Sequence, residues 1–259
     1  MSKVQSPKSA EASSDLETDG RGSDLGLWTL DVGLAVNDLR KSFVAPDGSK
    51  LEVLRSVSFS AHAGESVAIV GASGAGKSTL LHLLGGLDAP DHGSIEVDQF
   101  AIDRASSSEL AKFRRQNVGL VFQFHYLLAD LSAAENIALP LLIGRNSRNT
   151  AMQQATNFLA EVGLDSRAEH PVSHLSGGEQ QKVATCRALV KQPALVLADE
   201  PTGNLDAKAA DEIGQLLVSY GRTRQAIVIL ATHNERLSKL CDQVLEIDKG
   251  RIKVVRASN

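Results

Sequence analysis

The sequence predicts an α/β fold: a mainly parallel core sheet flanked by helices, with an antiparallel β layer and a helical subdomain. Three observations carry this. Short apolar runs at 66–70, 117–122, 195–200 and 227–232 are too continuous for half-exposed strands and read as strands buried on both faces. Segments of helical character alternate with them, at 78–84, 107–116, 149–162, 176–190 and 207–220. The first apolar run leads straight into Gly71-Ala72-Ser73-Gly74-Ala75-Gly76-Lys77-Ser78-Thr79, which fits the phosphate-binding pattern G-x-x-x-x-G-K-[ST].

That loop supplies its own chemistry. Its glycines let the backbone fold tightly and turn N–H groups inward as a nest for anionic oxygens. Lys77 adds a point charge within reach of the outer phosphates, and Ser78 offers a hydroxyl to Mg²⁺. The helix that follows brings a positive N-terminus to the same spot.

The chain has 259 residues, 42% hydrophobic and 22% charged, which suits one large α/β domain with a full core. A net charge of −4 provides no domain-wide positive field, so no nucleic-acid partner is expected. The two cysteines, Cys186 and Cys241, form no C-x-x-C and read as small buried residues in a reducing compartment. No run of about 18 apolar residues is present, and no basic segment followed by an apolar core opens the sequence. A cytosolic chain is expected, with any membrane association made through a partner.

In chain order, residues 1–26 are rich in Ser, Asp, Glu and Gly and are expected to form a disordered tail, because they offer too little apolar surface to offset ordering entropy. Residues 27–259 are expected to fold. Strand character at 34–43 and 53–61, around the turn signal Pro46-Asp47-Gly48, gives the antiparallel layer. Phe43, just before that turn, reads as a core or strand-edge side chain, with stacking on a nucleotide base as the other reading. A further short strand is expected at 93–97. Gln123 closes the strand at 117–122 and reads either as an ordinary polar residue at a strand exit or as one of the ligand-facing groups that α/β proteins place there.

The stretch 124–131, FHYLLADL, is unusually apolar for a loop. Internal packing and a surface for another protein both fit it. Ser132 and Glu135 then form a capping box that opens a helix. Leu175-Ser176-Gly177-Gly178-Glu179-Gln180 opens another helix, and its Ser-Gly-Gly turn is either a plain N-cap or a second anion site. Asp199 and Glu200 end the strand at 195–200. A carboxylate pair there is costly without a cation, which Mg²⁺ and Lys77 supply. His233 follows the strand at 227–232, and 244–250 closes with a strand and a turn. His170 and His174 are four apart, but Pro171 disfavours a helical pair and no third ligand stands near.

The P-loop, Gln123, LSGGEQ at 175–180, LVLADE at 195–200, Asn204-Leu205-Asp206 and His233 occur in the order of an ABC-type ATPase, which the sequence resembles from about residue 34 to 254. The resemblance implies a P-loop NTPase fold of ABC type, with the helical subdomain at roughly 124–190. It also implies roles. Phe43 is similar to an adenine-stacking aromatic, and Gly71 to Thr79 cradle the phosphates of ATP. Ser78, Gln123 and, largely through water, Asp199 resemble the Mg²⁺ set. Glu200 resembles the general base and His233 the residue contacting the γ-phosphate. Ser176, Gly177 and Gly178 resemble the signature that closes on a nucleotide held by a second copy of the chain, and Asp206 the residue joining the two sites. Lys182 stands where many relatives have Arg, so charge is kept and bidentate hydrogen bonding lost.

Within the family, VFQFHYLLADLSAAENIALPLLI (121–143), LSGGEQQ and LADEPTGNLD resemble the lipoprotein-releasing (LolD-type) group, inside the set that includes macrolide-export and cell-division ATPases. That resemblance implies a head-to-tail dimer held at the cytoplasmic face of the inner membrane by permease subunits docked near 123–143. A macrolide or peptide exporter, and a cell-division type of complex that transmits force without transport, are the alternatives. A soluble ABC ATPase acting on DNA or ribosomes is disfavoured by the acidic balance and by the absence of a long coiled-coil insertion.

Overall fold

The computed structural model describes residues 32–257. The tail expected at 1–26 lies outside them. Strands β1 (Val32–Val44) and β2 (Lys50–His62) form a long hairpin whose turn closes with Ala45 N–H donating to Ser49 O at 2.9 Å. Strand β3 (Ser66–Val70) leads into α1 (Lys77–Leu84). Strands β4 (His92–Val97) and β5 (Phe100–Ala101) complete an antiparallel sheet of order β2-β1-β4-β5.

The remaining strands belong to a second sheet. Helix α2 (Ser107–Asn117) precedes β6 (Val118–Val121). Three helices follow: α3 (Ala133–Ile143), α4 (Arg148–Glu161) and α5 (Gly177–Leu189). Then come β7 (Leu195–Asp199), α6 (Ala207–Arg224), β8 (Ile227–Ala231), α7 (Glu235–Leu240), β9 (Gln243–Asp248) and β10 (Arg251–Arg256). The order is β10-β9-β3-β8-β7-β6, parallel except for β10, which runs antiparallel to β9.

Period-two alternation sorts the apolar runs between two cores. Val67, Ile69, Leu195, Leu197, Ile227 and Ile229 face the antiparallel sheet and α1. Their alternates Ala68, Val196, Ala198, Val228 and Leu230 face α6, with Ile213 and Leu217 among their neighbours. Burying both faces explains why these strands read as continuous apolar runs, and each fully buried Leu or Ile contributes about 1.5–3 kcal/mol. A third core is separate and helical: Ile137, Leu159, Val183 and Cys186 bring α3, α4 and α5 together.

The α/β class, the parallel strands and most of the longer helices stand where the sequence put them. Several details differ. Strand β10, the short β5 and the six-residue α7 were not expected, and α6 runs past the anticipated end at 220 to Arg224. Asn117 ends α2 instead of starting β6. β5 and β10 are edge strands and the rest are element ends or a short helix, where tertiary pairing overrides weak local preference.

Cys186 and Cys241 are both buried and free, and burial pushes each thiol up to about 12. Because thiolate is the reactive form, the folded chain at pH 8 should leave both unmodified by a colourless-to-coloured disulfide reagent until denaturant is added. Rapid colour from the native protein would contradict this packing.

Candidate functional site

Four of the parallel strands end on one edge of the sheet, and each carries a predicted site residue there. Strand β3 delivers the loop 71–79. Gly71 (φ 150°), Gly74 (φ 77°) and Gly76 (φ 108°) take left-handed or related backbone angles that side chains disfavour. At Gly71 a Cβ would also meet Ile247 O at 2.4 Å. Gly76 caps α1 through its backbone alone, with no side-chain acceptor and no acidic residue in the first turn. No carboxylate in the helix's own first turn offsets its positive end.

Lys77 lies over the loop and is only 8% exposed. Its ammonium donates to Gly71 O at 2.8 Å and to Ala72 O at 3.1 Å. Ser73 and Gly74 are exposed at the loop's crest, Ala75 and Thr79 are half-buried, and Ser78 is exposed in the first helical turn.

Strand β7 delivers Asp199 and, just past its end, Glu200. Glu200 has φ 46°, a costly angle for a residue with a side chain. Its N–H donates to Ala231 O at 2.9 Å, and its carbonyl accepts from Gly203 N–H at 3.1 Å. Strand β8 delivers Thr232, whose N–H bonds Ile69 O at 3.0 Å, and then His233. His233 Nδ1 stands 2.9 Å from Glu200 Oε2, and the His233 N–H donates to the same oxygen at 3.3 Å. The carboxylate of Glu200 is thus fixed by both the ring and the backbone of His233.

Strand β6 delivers Gln123. Its Nε2 donates to Asn204 Oδ1 at 3.4 Å, and the side chain abuts Gly203, where a Cβ would come within 3.0 Å. That contact joins Gln123 to the turn after Glu200 and leaves its oxygen as the free acceptor.

The structure sets the Ser-Gly-Gly turn apart from this cluster. Ser176 caps α5 in a capping box: Ser176 Oγ accepts from Glu179 N–H at 3.3 Å, and Glu179 Oε2 accepts from Ser176 N–H at 2.8 Å. These bonds, with Arg167 nearby, hold the Glu179 carboxyl below its ordinary range. Gly177 has open space around it, and Gly178 approaches Ala209 on α6. No hydrogen bond or ion pair among the described residues joins Ser176, Gly177 or Gly178 to the loop 71–79. Helix α5 packs on the edge strand β6, and β8 and β7 lie between β6 and β3. Asp206 caps α6, its Oδ1 accepting Ala209 N–H at 2.8 Å. Lys182 pairs with Glu212 at 2.7 Å and donates to Val162 O at 3.2 Å, a single-point contact of the kind expected for Lys in place of Arg.

The apolar loop after Gln123 is anchored from within and exposed at alternate positions. Asn136, fully buried, accepts from Leu128 N–H at 2.8 Å and donates to Leu128 O and Leu131 O. Arg187 donates to Tyr126 O at 2.7 Å and to His125 O at 2.8 Å. Leu127 packs on the helical core, whereas Phe124, Tyr126 and Leu128 are 63%, 65% and 52% exposed. The loop is therefore packed internally at Leu127 and exposed at the residues that alternate with it. Phe43 stands exposed at the end of β1 with the Lys41 ammonium 5.2 Å from its ring centroid, a strand-edge and not a core position.

One residue escaped the sequence reading. Gln181 on α5 is 1% exposed and donates from Nε2 to Phe122 O at 3.2 Å and to Pro201 O at 2.8 Å. Its partners are 59 and 20 residues away, so no local pattern marks it.

Comparison with known proteins identifies the family. A family model described as ABC transporter matches residues 54–203. A lipoprotein-releasing system ATP-binding protein LolD from Geobacter metallireducens is 44% identical over 219 residues, covering 85% of this chain and 97% of that protein. Among solved structures, the dimeric post-hydrolysis state of the ATP-binding cassette MJ0796 bound to ADP and Pi aligns with a TM-score of 0.79 at 32% identity, covering 86% of this chain and 99% of that one. The cbiO1 subunit from Clostridium perfringens, part of the ABC transporter complex cbiONQ, aligns with a TM-score of 0.77 at 29% identity, over 86% of this chain and 87% of that one. The chain belongs to the ABC transporter family, as one of its ATP-binding cassettes.

Proposed function

We propose that this chain is the ATPase subunit of an inner-membrane ABC complex that powers release of lipoproteins toward the outer membrane. The observation that carries the ATPase reading is the convergence of Lys77, Asp199, Glu200, His233 and Gln123 at the ends of adjacent parallel strands, with Glu200 locked to His233 at 2.9 Å. The 44% identity to a lipoprotein-releasing ATP-binding protein supports the load.

Ser78, Gln123 and Asp199 offer oxygen donors only, and Gln123 turns its nitrogen to Asn204, so the set fits Mg²⁺. When bound, that ion would neutralise charge on the β- and γ-phosphates. The chain's own residues do the rest. The loop N–H groups and Lys77 hold the phosphates. Glu200 aligns a water in line with the γ-phosphorus and takes its proton as the new P–O bond forms. The bond from that phosphorus to the bridging oxygen breaks, ADP departs and inorganic phosphate remains. We assign His233 to fixing Glu200 and contacting the γ-phosphate, and Phe43 to the base.

The signature turn needs a nucleotide, and its own chain's loop sits three strand positions away, roughly 14 Å at the usual strand spacing. A second copy paired head to tail places each signature over the other's loop, an isologous arrangement with Asp206 near the seam. A dimeric MJ0796 cassette is among the similar structures. No helix among the described residues is long and apolar enough to cross a membrane, which fits a peripheral subunit at the cytoplasmic face. The helical unit α3–α5, with Phe124, Tyr126 and Leu128 exposed beside it, is the face we assign to the permease subunits.

Glu200→Gln should keep ATP binding and slow steady-state hydrolysis by roughly 10²–10⁴-fold, as expected for losing a general base. Unchanged turnover would remove Glu200 from that role. The same variant should sediment as a dimer when saturated with ATP and Mg²⁺ and as a monomer with ADP. A single monomeric boundary with ATP at high protein concentration counts against the shared site. Phe124→Asp combined with Leu128→Asp should abolish co-purification with the membrane subunits, and full retention would sink the docking assignment.

A further inference from the structure

We propose that Gln181 is a positioning residue of the hydrolytic site, holding Glu200 and Gln123 in register with each other from the signature helix; this rests on the ATPase reading above. One nearly buried carboxamide spends both its N–H bonds on the two flanks of the site. Phe122 O belongs to the residue just before Gln123, and Pro201 O to the residue just after Glu200. Both carbonyls lie beyond their strands, since β6 ends at Val121 and β7 at Asp199, so the sheet ladder no longer supplies donors there.

The need for a clamp is evident at Glu200. Its left-handed backbone persists only if the surroundings over-determine it. The bonds to Ala231 O and from Gly203 N–H act on Glu200 itself, and the Gln181 bond fixes the next residue. Gln123 reaches Gly203 and Asn204 in that same turn, so displacing Pro201 would disturb both side chains.

The chemistry selects Gln. Two donors on one planar group are required, and an ionised Glu has none. Among the described residues the Gln181 oxygen has no hydrogen-bond partner, and neither does Thr185 Oγ1, one turn further along α5, so the two donated bonds decide which way the amide faces. Flipping it would set its oxygen against two carbonyls.

The test uses the full-length chain, with active sites counted by nucleotide titration and hydrolysis measured per site. Gln181→Met keeps length and apolar bulk and removes both donors. Its kcat should fall by about 10- to 100-fold, the span for slight misplacement of catalytic groups, while KM for ATP stays close to wild type. Gln181→Glu provides an independent readout. A carboxyl enclosed by two carbonyl oxygens has a raised pKa, and only its protonated form donates. Its activity relative to wild type should therefore be greatest at low pH and fall as pH rises through that pKa. A merely structural glutamine would cost thermal stability and site count while leaving kcat per site and the pH ratio unchanged, and that result overturns the proposal. If Glu200→Gln is crippled but Gln181→Met is not, only this inference fails. If wild type and Glu200→Gln turn over alike, the ATPase assignment of Glu200 fails and takes this inference with it.

Discussion

A strand buried on both faces has to surrender its hydrogen-bonding partners where it leaves the sheet, and the groups freed there must find others or face water. In this chain that constraint falls on the same edge of β3, β6, β7 and β8. The freed groups solve it for one another. Glu200 N–H goes to the end of β8, Thr232 N–H to β3, and the Glu200 carboxylate to the His233 ring and backbone. The edge becomes a polar rim resting on an apolar floor, with a lysine-bearing loop at the end of β3 and a pair of carboxylates at the end of β7, two strand positions along.

Separate cores support separate tasks. Two of them lie on opposite faces of the parallel sheet and fix the strand ends against each other. The third is helical and carries the signature turn and the anchored apolar loop. The long side chains of α5 bind these parts together: Gln181 reaches the strand exits, Arg187 the backbone of the exposed loop, and Lys182 the neighbouring α6 through Glu212. One helix therefore touches the strand exits, the exposed loop and α6 together.

The sequence made the strand ends legible because apolar runs buried on both faces stand out and because glycine-rich and carboxylate-bearing exits follow them. The capping box at Ser132 and the N-cap at Ser176 were equally plain, being local patterns with local physics. The edge strand β10 was not, since its R-I-K-V-V-R pattern lies largely exposed and is stabilised by pairing with β9. The alternation in the loop 124–131 was hidden for the same reason: its anchors, Asn136 and Arg187, lie 8 and 61 residues from the backbone groups they hold. Gln181 shows the limit most clearly. Its neighbours in sequence are a helix cap, while its hydrogen bonds are to the far sides of two loops.

The lysine of the β3 loop has a further consequence. Two of its three ammonium hydrogens already rest on the loop's own carbonyls, at 2.8 and 3.1 Å, so the pocket is shaped and electrically biased by the polypeptide itself. The third hydrogen is the one left uncommitted for a phosphate oxygen. The loop thus carries its own cation, tethered by the same backbone that it charges.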